Sequence, residues 1–472
     1  MNDIDLYIDE LTPDGWGMAS WKRPDDVVRP VCVPNALPGE TVRCELFHCK
    51  SKKVPGLLAK VTQVLDPSPL RVQPRCKHFA ICGGCTWQQM AYSDQIALKE
   101  TKLRELFADV IDERTQFYPI IGCPDPWGYR NKMEFSFSQD LKGNKFLGLI
   151  MRCSKGRVFN IEECHLVNPW VSQISQGVLK WWEESSLLAY YPPKSSGQLR
   201  CLTMRESHTT GDRVVILTVS GNPEYPMKQS DLDSFLQVCK ACATPDETTG
   251  ATLSCVVRIH QAHKGRETQI FEMLLSGPDS FRERIIVGAK ELEFVLSPSS
   301  FFQPNSLQAS RIYEKALELA NLQPHMVLYD LYAGIGIFGM TSCHLVKEVI
   351  AIELSADSAY DAKVNSERLK LTNFRMIRSD VAKALQDKSL PQADVAIVDP
   401  PRTGLGNQAI EHIVALKAPT IVYVSCNPKT QKIDVQELVK LGYKVETIQP
   451  IDQFPQTIHV ENIVILRLPQ VR

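Results

Sequence analysis

The stretch Ile421-Val422-Tyr423-Val424-Ser425-Cys426-Asn427-Pro428 decides the fold of this chain of 472 residues. Its first four residues are apolar and mostly β-branched, which predicts a buried strand that must end at Asn427-Pro428. Cys426 is therefore expected just beyond the carboxyl end of that strand. Open α/β sheets bind their ligands at this edge. Most unpaired cysteines are small core residues, but the position of Cys426 favours a role in chemistry.

Two further strands with the same setting lie upstream. Val395-Ala396-Ile397-Val398 runs into Asp399-Pro400-Pro401-Arg402, and residues 326–331 run into the turn Gly334-Ile335-Gly336-Ile337-Phe338-Gly339. A glycine turn after a strand lets the backbone approach a ligand that carries adenosine, and Glu353, at the end of the next strand, can accept hydrogen bonds from ribose hydroxyls. These glycines alone fit a nicotinamide cofactor as well as S-adenosylmethionine.

The composition is that of an ordinary globular protein. Hydrophobic residues make up 44%, charged residues 23%, and the net charge is -1. Such a balance indicates no acidic or basic partner, so any nucleic-acid contact must be local. The sequence has no signal-like start and no apolar run of membrane-spanning length, which predicts a cytoplasmic protein. Fifteen cysteines in such a chain favour reduced thiols over a disulfide scaffold.

The length predicts several domains, and we divide the chain into three. Residues 1–65 contain short strands separated by Gly and Pro, which is typical of a small β-barrel of the OB kind. Residues 66–296 alternate helix-like segments (88–107 and 169–184) with strand-like ones (133–137, 214–219 and 269–274), which indicates an α+β domain. Residues 297–472 predict a Rossmann-like, doubly wound α/β sheet.

Two local groups of residues are candidates for RNA contact. The first is basic and the second mixes aromatic with basic residues, a combination that suits phosphate binding and the stacking of unpaired bases. A solvated charged loop and a half-buried strand are equally good interpretations. The basic group is Lys50, Lys52, Lys53, Lys60, Arg71, Arg75 and Lys77, and the mixed group is Trp127, Tyr129, Arg130, Lys132, Phe135 and Phe137.

A cluster of cysteines predicts a metal site. Cys76, Cys82 and Cys85 are close in sequence, and Gly83-Gly84 lets the backbone fold back so that the sulfurs converge. Cys164, after a strand-rich segment, is the best fourth ligand. Four thiolates hold either zinc or an iron-sulfur cluster, and the spacing does not choose between them. The pair Cys239 and Cys242 lies in a helix-like run without a second pair, so we interpret it as structural.

Several motifs in order resemble the uracil-C5 RNA methyltransferase family. They are Phe301-Phe302-Gln303-Pro304-Asn305, the segment from Asp330 to Gly336, Asp399-Pro400-Pro401-Arg402, Ser425-Cys426-Asn427-Pro428, and the segment from Phe454 to Glu461. The N-terminal segment is similar to the TRAM domain of that family. The four cysteines are similar to those of members that carry a four-iron four-sulfur (4Fe-4S) cluster, so the resemblance covers nearly the whole chain.

The resemblance implies a role for individual residues. Cys426 is expected to be the nucleophile and Glu461 the base. S-adenosylmethionine is expected to contact Gln303, Tyr332, Gly334, Glu353, Asp380 and Asp399, and the cluster to be held by Cys76, Cys82, Cys85 and Cys164. The partner would be RNA, with ribosomal RNA favoured over transfer RNA, and no membrane or obligate protein partner is expected. Ile458 departs from the family, because we expect glycine between Thr457 and His459.

The implied reaction explains these residue types. A thiolate that adds to C6 of uracil makes C5 nucleophilic enough to take a methyl group, and a carboxylate then removes the C5 proton. The uridine must be flipped out to expose both carbons. A nicotinamide-dependent oxidoreductase would leave the turns at Asp399 and Cys426 without a role. A cytosine-C5 methyltransferase would need a second cysteine after a proline in the first of these turns, and a non-catalytic RNA-binding module has no support beyond the basic residues.

Overall fold

The computed structural model describes residues 3–22, 26–48, 57–261 and 268–469. Its first unit is a strongly curved sheet with the order β1-β5-β6-β4-β3-β2. Alternate residues of its strands face a small core that includes Val31, Val42 and Cys44. This sheet is compatible with the predicted barrel. Its strands are β1 (Ile4–Tyr7), β2 (Glu10–Leu11), β3 (Gly17–Lys22), β4 (Val28–Val33), β5 (Thr41–His48) and β6 (Leu57–Asp66).

Helix α1 (Tyr92–Phe107) and strand β7 (Gln116–Phe117) follow. The helix begins four residues later than predicted, because the side-chain amide of Gln95 donates hydrogen bonds to the carbonyls of Trp87 and Met90, both at 2.9 Å. Strand β7 is the surprise of this segment. It joins the edge of the C-terminal sheet, where Gln116 pairs with Thr447. The placement of the two boundaries between the three domains stays a prediction.

The central unit is a seven-stranded sheet with the order β10-β9-β8-β11-β12-β13-β14. Helices α2 (Pro169–Glu183) and α3 (Gln229–Ala243) pack together against it. Its core contains Cys239, which is consistent with a structural role for that cysteine. The strands are β8 (Lys132–Gln139), β9 (Lys145–Ile150), β10 (Val158–Asn160), β11 (Leu199–Glu206), β12 (Arg213–Ser220), β13 (Leu253–Gln261) and β14 (Gln269–Ser276).

The C-terminal unit begins with a hairpin of β15 (Phe281–Val287) and β16 (Lys290–Leu296) and with helix α4 (Ser306–Ala320). Its main sheet has the order β19-β18-β17-β20-β21-β23-β22, with β23 antiparallel to both neighbours. The predicted doubly wound sheet is confirmed. Its elements are β17 (Val327–Leu331), α5 (Ile337–Ser342), β18 (Glu348–Glu353), α6 (Ala356–Arg368), β19 (Phe374–Arg378), α7 (Val381–Ala384), β20 (Val395–Val398), α8 (Asn407–Ala415), β21 (Thr420–Ser425), α9 (Pro428–Lys440), β22 (Lys444–Ile451) and β23 (Glu461–Arg467).

The aromatic residues predicted to stack on RNA bases are mostly core residues. Tyr129, Phe135 and Phe137 are buried, and the ring of Phe137 packs edge-on against Trp182 at 5.1 Å. Phe135 and Phe137 lie on the same face of β8 because side chains alternate along a strand, and that face is covered by α2. The stacking prediction is wrong for these three residues. Trp127 is half-buried beneath the guanidinium of Arg75.

The basic group is partly used within the protein. The guanidinium of Arg71 forms an ion pair with the buried carboxylate of Glu40, and Lys77 pairs with Glu162 at 2.5 Å. Both cations are therefore less available to phosphate than the sequence suggested. Lys50, Lys52 and Lys53 lie outside the described residues. Of the helices in the described part of the chain, none combines the length and the apolar character that crossing a membrane requires.

Candidate active site

Cys426 lies where the sequence placed it, directly after β21 and before α9. The side-chain amide of Asn427 donates a hydrogen bond to the carbonyl oxygen of Arg402 at 2.8 Å, and the hydroxyl of Thr430 donates to the same oxygen at 3.2 Å. These bonds join the turn after β21 to the turn after β20. The acid, the arginine and the thiol predicted from the two turns are thereby brought into one cavity.

The thiol of Cys426 is not activated in this structure. Burial raises its pKa to about 11, and the nearby carboxylates of Glu461 and Asp399 act in the same direction. The guanidinium of Arg402 lowers the pKa, as expected of a neighbouring cation, but by less than burial and Glu461 raise it. Arg402 also donates a hydrogen bond to Nδ1 of His459 at 3.1 Å. Cys426 is therefore a protonated thiol near neutral pH.

Glu461 is the first residue of β23 and is only 1% exposed. Neither of its carboxylate oxygens has a hydrogen-bond partner among the described residues. Burial raises its pKa well above the ordinary value, Asp399 raises it further, and Arg402 opposes both. Burial also raises the pKa of Asp399 to about 7. An unpartnered buried carboxylate is costly, and strongly perturbed groups of this kind are often found at functional sites.

The other end of the cavity has the form of a nucleotide site. Oε2 of Glu353 accepts a hydrogen bond from the amide of Gly334 at 2.8 Å, which closes the glycine turn after β17. Tyr332 and Gly334 have positive φ angles of 61° and 56°. An added Cβ at Gly334 would meet no atom within 4 Å, so open space lies above the turn. Asp380 caps α7 and faces the same space.

One cavity of about 950 Å³ contains all eight residues predicted for catalysis and cofactor binding. Cys426 and Glu461 are at one end with Asp399, and the glycine turn is at the other. They share the cavity with Gln303, Tyr332, Gly334, Glu353 and Asp380. Sequence reasoning missed Tyr313, which also lines the cavity. Tyr313 lies on the buried face of α4, where a catalytic tyrosine and a packing tyrosine have the same pattern.

The four cysteines proposed as metal ligands line one small cavity of about 80 Å³. In the described ranges, no group of three or more His, Cys, Asp or Glu side chains is arranged to hold a metal ion. Two of the sulfurs accept hydrogen bonds: that of Cys82 from the amide of Gly84 at 3.3 Å, and that of Cys85 from the side chain of Gln88 at 3.1 Å. Arg130 lines this cavity and the large one.

Comparison with known proteins places this geometry in a family. Residues 265–468 match the family model described as tRNA (Uracil-5-)-methyltransferase. An uncharacterized RNA methyltransferase of Protochlamydia amoebophila is 46% identical over 446 residues, which are 93% of this chain and 100% of the relative. The chain belongs to the RNA methyltransferase family of this relative. The prediction of an RNA methyltransferase is thus confirmed for the family.

Other family members and a solved structure agree. An uncharacterized RNA methyltransferase of Clostridium acetobutylicum is 32% identical over 439 residues, which cover 93% of this chain and 92% of the relative. The crystal structure of the Pyrococcus abyssi tRNA (uracil-54, C5)-methyltransferase, in complex with S-adenosyl-L-homocysteine, superposes with a TM-score of 0.69. It covers 98% of this chain and 100% of that chain at 23% identity, so the two proteins share a fold.

Proposed function

We propose that this family member transfers a methyl group from S-adenosylmethionine to C5 of a uridine in RNA, through a covalent bond between Cys426 and C6. The observation that carries the proposal is the pairing of Cys426 with the unpartnered, buried carboxylate of Glu461 in one cavity. A thiol and a carboxylate with no structural partner are the two groups that the reaction needs.

The cavity suits S-adenosylmethionine. The open space above Gly334 admits a close ligand, and the carboxylates of Glu353 and Asp380 are available to ribose hydroxyls and to the adenine edge. The side chain of Leu354, which is 66% exposed, offers an apolar face beside them. When bound, S-adenosylmethionine supplies a methyl group on a positively charged sulfur. We place its contacts at Gln303, Tyr332, Gly334, Glu353, Asp380 and Asp399.

In the first step the thiol of Cys426 loses its proton to solvent, and its thiolate forms a bond to C6 as the C5–C6 double bond opens towards C5. The pKa of about 11 makes the thiolate scarce before substrate binds, and Arg402 is the cation beside it that favours ionisation. Addition of the thiolate moves electron density to C5, which then forms the new bond to the methyl carbon while the bond from that carbon to the sulfonium sulfur breaks and its electron pair returns to sulfur, so that S-adenosylhomocysteine leaves. Cys426 thus converts a weak carbon nucleophile into a strong one.

In the second step Glu461 takes the proton from C5, and the electron pair of that C–H bond re-forms the C5–C6 double bond as Cys426 leaves. Glu461 suits this role, because burial raises its pKa and makes the ionised carboxylate a strong proton acceptor. With no other hydrogen bond to hold it, the carboxylate is directed by the protein towards the cavity alone.

The four cysteines lie in a second, smaller cavity, separate from the active cavity. We propose that Cys76, Cys82, Cys85 and Cys164 hold a 4Fe-4S cluster. Thiolates are the usual ligands of such a cluster, and these four cysteines would supply a complete set. The four sulfurs share one small cavity, where burial raises the pKa of each thiol, and the N–H donors to the sulfurs of Cys82 and Cys85 oppose that shift. Its expected role is to stabilise the junction of the units, with no part in methyl transfer.

The test is methyl transfer in vitro. Purified protein, labelled S-adenosylmethionine and RNA from cells that lack the protein should give 5-methyluridine by nucleoside mass spectrometry, and Cys426→Ala should give none. The appearance of 5-methylcytidine instead would favour the cytosine enzyme. Tight binding of NAD without binding of S-adenosylmethionine would favour an oxidoreductase. The expectation of ribosomal in preference to transfer RNA stays a prediction, and separate digestion of the two RNA fractions tests it.

A further inference from the structure

The connection between β22 and β23 carries the proposed base. We call residues 452–460 the base loop. Its residues Phe454 and His459 line the active cavity, and it leads directly into Glu461. Ile458, the residue at which we expected glycine, points elsewhere: it packs in a small apolar cluster with Trp87 and Leu37. Leu37 belongs to the N-terminal unit, so this cluster joins that unit to the base loop.

The contact between Ile458 and the N-terminal unit is close. Nε1 of Trp87 donates a hydrogen bond to the carbonyl of Gly15 at 2.9 Å. An added Cβ at Gly15 would lie 2.4 Å from Cγ2 of Ile458 and 2.9 Å from Nε1 of Trp87, which is too near for either. Gly15 also has a φ of +78°, which favours glycine. The N-terminal unit therefore lacks a side chain at the point where the base loop carries a branched one.

The backbone of the base loop is held on the same side. The carbonyl of Gln456 accepts hydrogen bonds from the amides of Thr86 at 2.8 Å and Trp87 at 3.1 Å. Gln456 has a φ of +67° and is buried, so these bonds hold a backbone conformation that most residues avoid. The loop is thus anchored at Glu461 by the sheet and at its middle by residues 86–87 and the cluster of Ile458.

We propose that Ile458 is a positioning residue: by packing against Gly15 and Trp87 it lets the N-terminal unit hold the base loop in place for proton removal by Glu461. The inference rests on the proposed function. It makes the N-terminal unit part of the catalytic assembly, beyond any role in binding RNA. Cys426 is held separately, through Asn427 and Arg402, so the first bond to uracil should not depend on Ile458.

The experiment compares the two steps in single turnovers. With target RNA containing 5-fluorouridine, Ile458→Gly should form the covalent adduct at the rate of the unaltered enzyme. With ordinary RNA it should resolve the adduct about tenfold to a hundredfold more slowly, since small misplacement of a reacting group has effects of this size. The adduct should then accumulate on a denaturing gel. Ile458→Val keeps the branched side chain and should restore resolution.

Two further variants separate positioning from stability. Gly15→Ala alters the contact from its other side and should slow resolution in the same way. Val31→Ala weakens the core of the N-terminal unit outside the cluster of Ile458, and should leave resolution unchanged. Resolution at the parent rate in both Ile458→Gly and Gly15→Ala would overturn the inference. An unaltered enzyme that forms no adduct with 5-fluorouridine RNA would instead overturn the proposed function.

Discussion

Nδ2 of Asn427 lies 2.8 Å from the carbonyl oxygen of Arg402 and donates a hydrogen bond to it. The bond fixes the two turns that flank Cys426, and it uses only the backbone of Arg402. The guanidinium takes no part in this link; it donates to Nδ1 of His459 and lowers the pKa of the thiol. Replacement of the Arg402 side chain tests its charge without breaking the link between the turns.

The first prediction concerns the reactivity of Cys426 in the ligand-free protein. Because its pKa is raised to about 11, alkylation by iodoacetamide should rise about tenfold per pH unit between pH 7 and 9.5, without a plateau. Arg402→Gln removes the cation that lowers this pKa and should slow alkylation at every pH. Peptide mass spectrometry of the Cys426 peptide gives the rates. A rate that reaches half its maximum near pH 8.5 and then levels off would mean that the thiol is not perturbed.

The second prediction concerns Glu461. Glutamine has the shape of glutamate but cannot accept the C5 proton, so Glu461→Gln should methylate RNA and then remain bound to it covalently. A protein-RNA species should appear on a denaturing gel with ordinary RNA. The double variant Cys426→Ala/Glu461→Gln should form none. Normal turnover by Glu461→Gln would assign the proton to another acceptor.

The third prediction concerns the iron-sulfur cluster. Protein purified without oxygen should be brown and contain about four iron atoms per chain. Cys82→Ser should lose the iron and the visible absorption, because it removes one of the thiolates. Cys242→Ser is the matched control, since Cys242 is also a half-buried cysteine but lies in α3. Stoichiometric zinc in place of iron would contradict the assignment.

The fourth prediction concerns a buried ion pair beneath the base loop. Nζ of Lys99, in α1, lies 2.7 Å from Oδ1 of Asp452, and both side chains are at most 1% exposed. Lys99→Met leaves the carboxylate buried without its cation, which should cost about 3 to 5 kcal/mol and lower the urea midpoint. Lys440→Met, which breaks an exposed pair with Glu437, should change the midpoint little. Addition of Asp452→Asn to Lys99→Met should recover part of the loss.

Much of this site follows from local patterns. The strands that end at Val398 and Ser425 are short apolar runs stopped by proline turns, so the places of Asp399 and Cys426 could be predicted. The glycine turn at Gly334 has its own backbone signature. Such features are encoded within a few residues, and a sequence displays them directly.

Contacts between distant segments could not be predicted in this way. The lack of hydrogen-bond partners at Glu461 depends on what surrounds it in three dimensions. Phe135 resembled an exposed stacking residue, because a half-buried strand and a base-binding strand share the same alternation. Ile458 was visible as a departure from the family, but its reason lay at Gly15, more than 400 residues away in the chain.

The pairing of β7 with β22 also has a consequence for biosynthesis. Oγ1 of Thr115 donates to the carbonyl of Val445 at 3.0 Å across 330 residues of chain, and helix α1 packs Leu103 and Phe107 into the same C-terminal core. A ribosome releases α1 and β7 long before it makes their partners. This amphipathic helix must therefore wait, with its apolar side uncovered, until β22 emerges. The nascent chain is a natural client for chaperones throughout that interval, and a chain truncated before residue 444 would leave the same apolar surface uncovered.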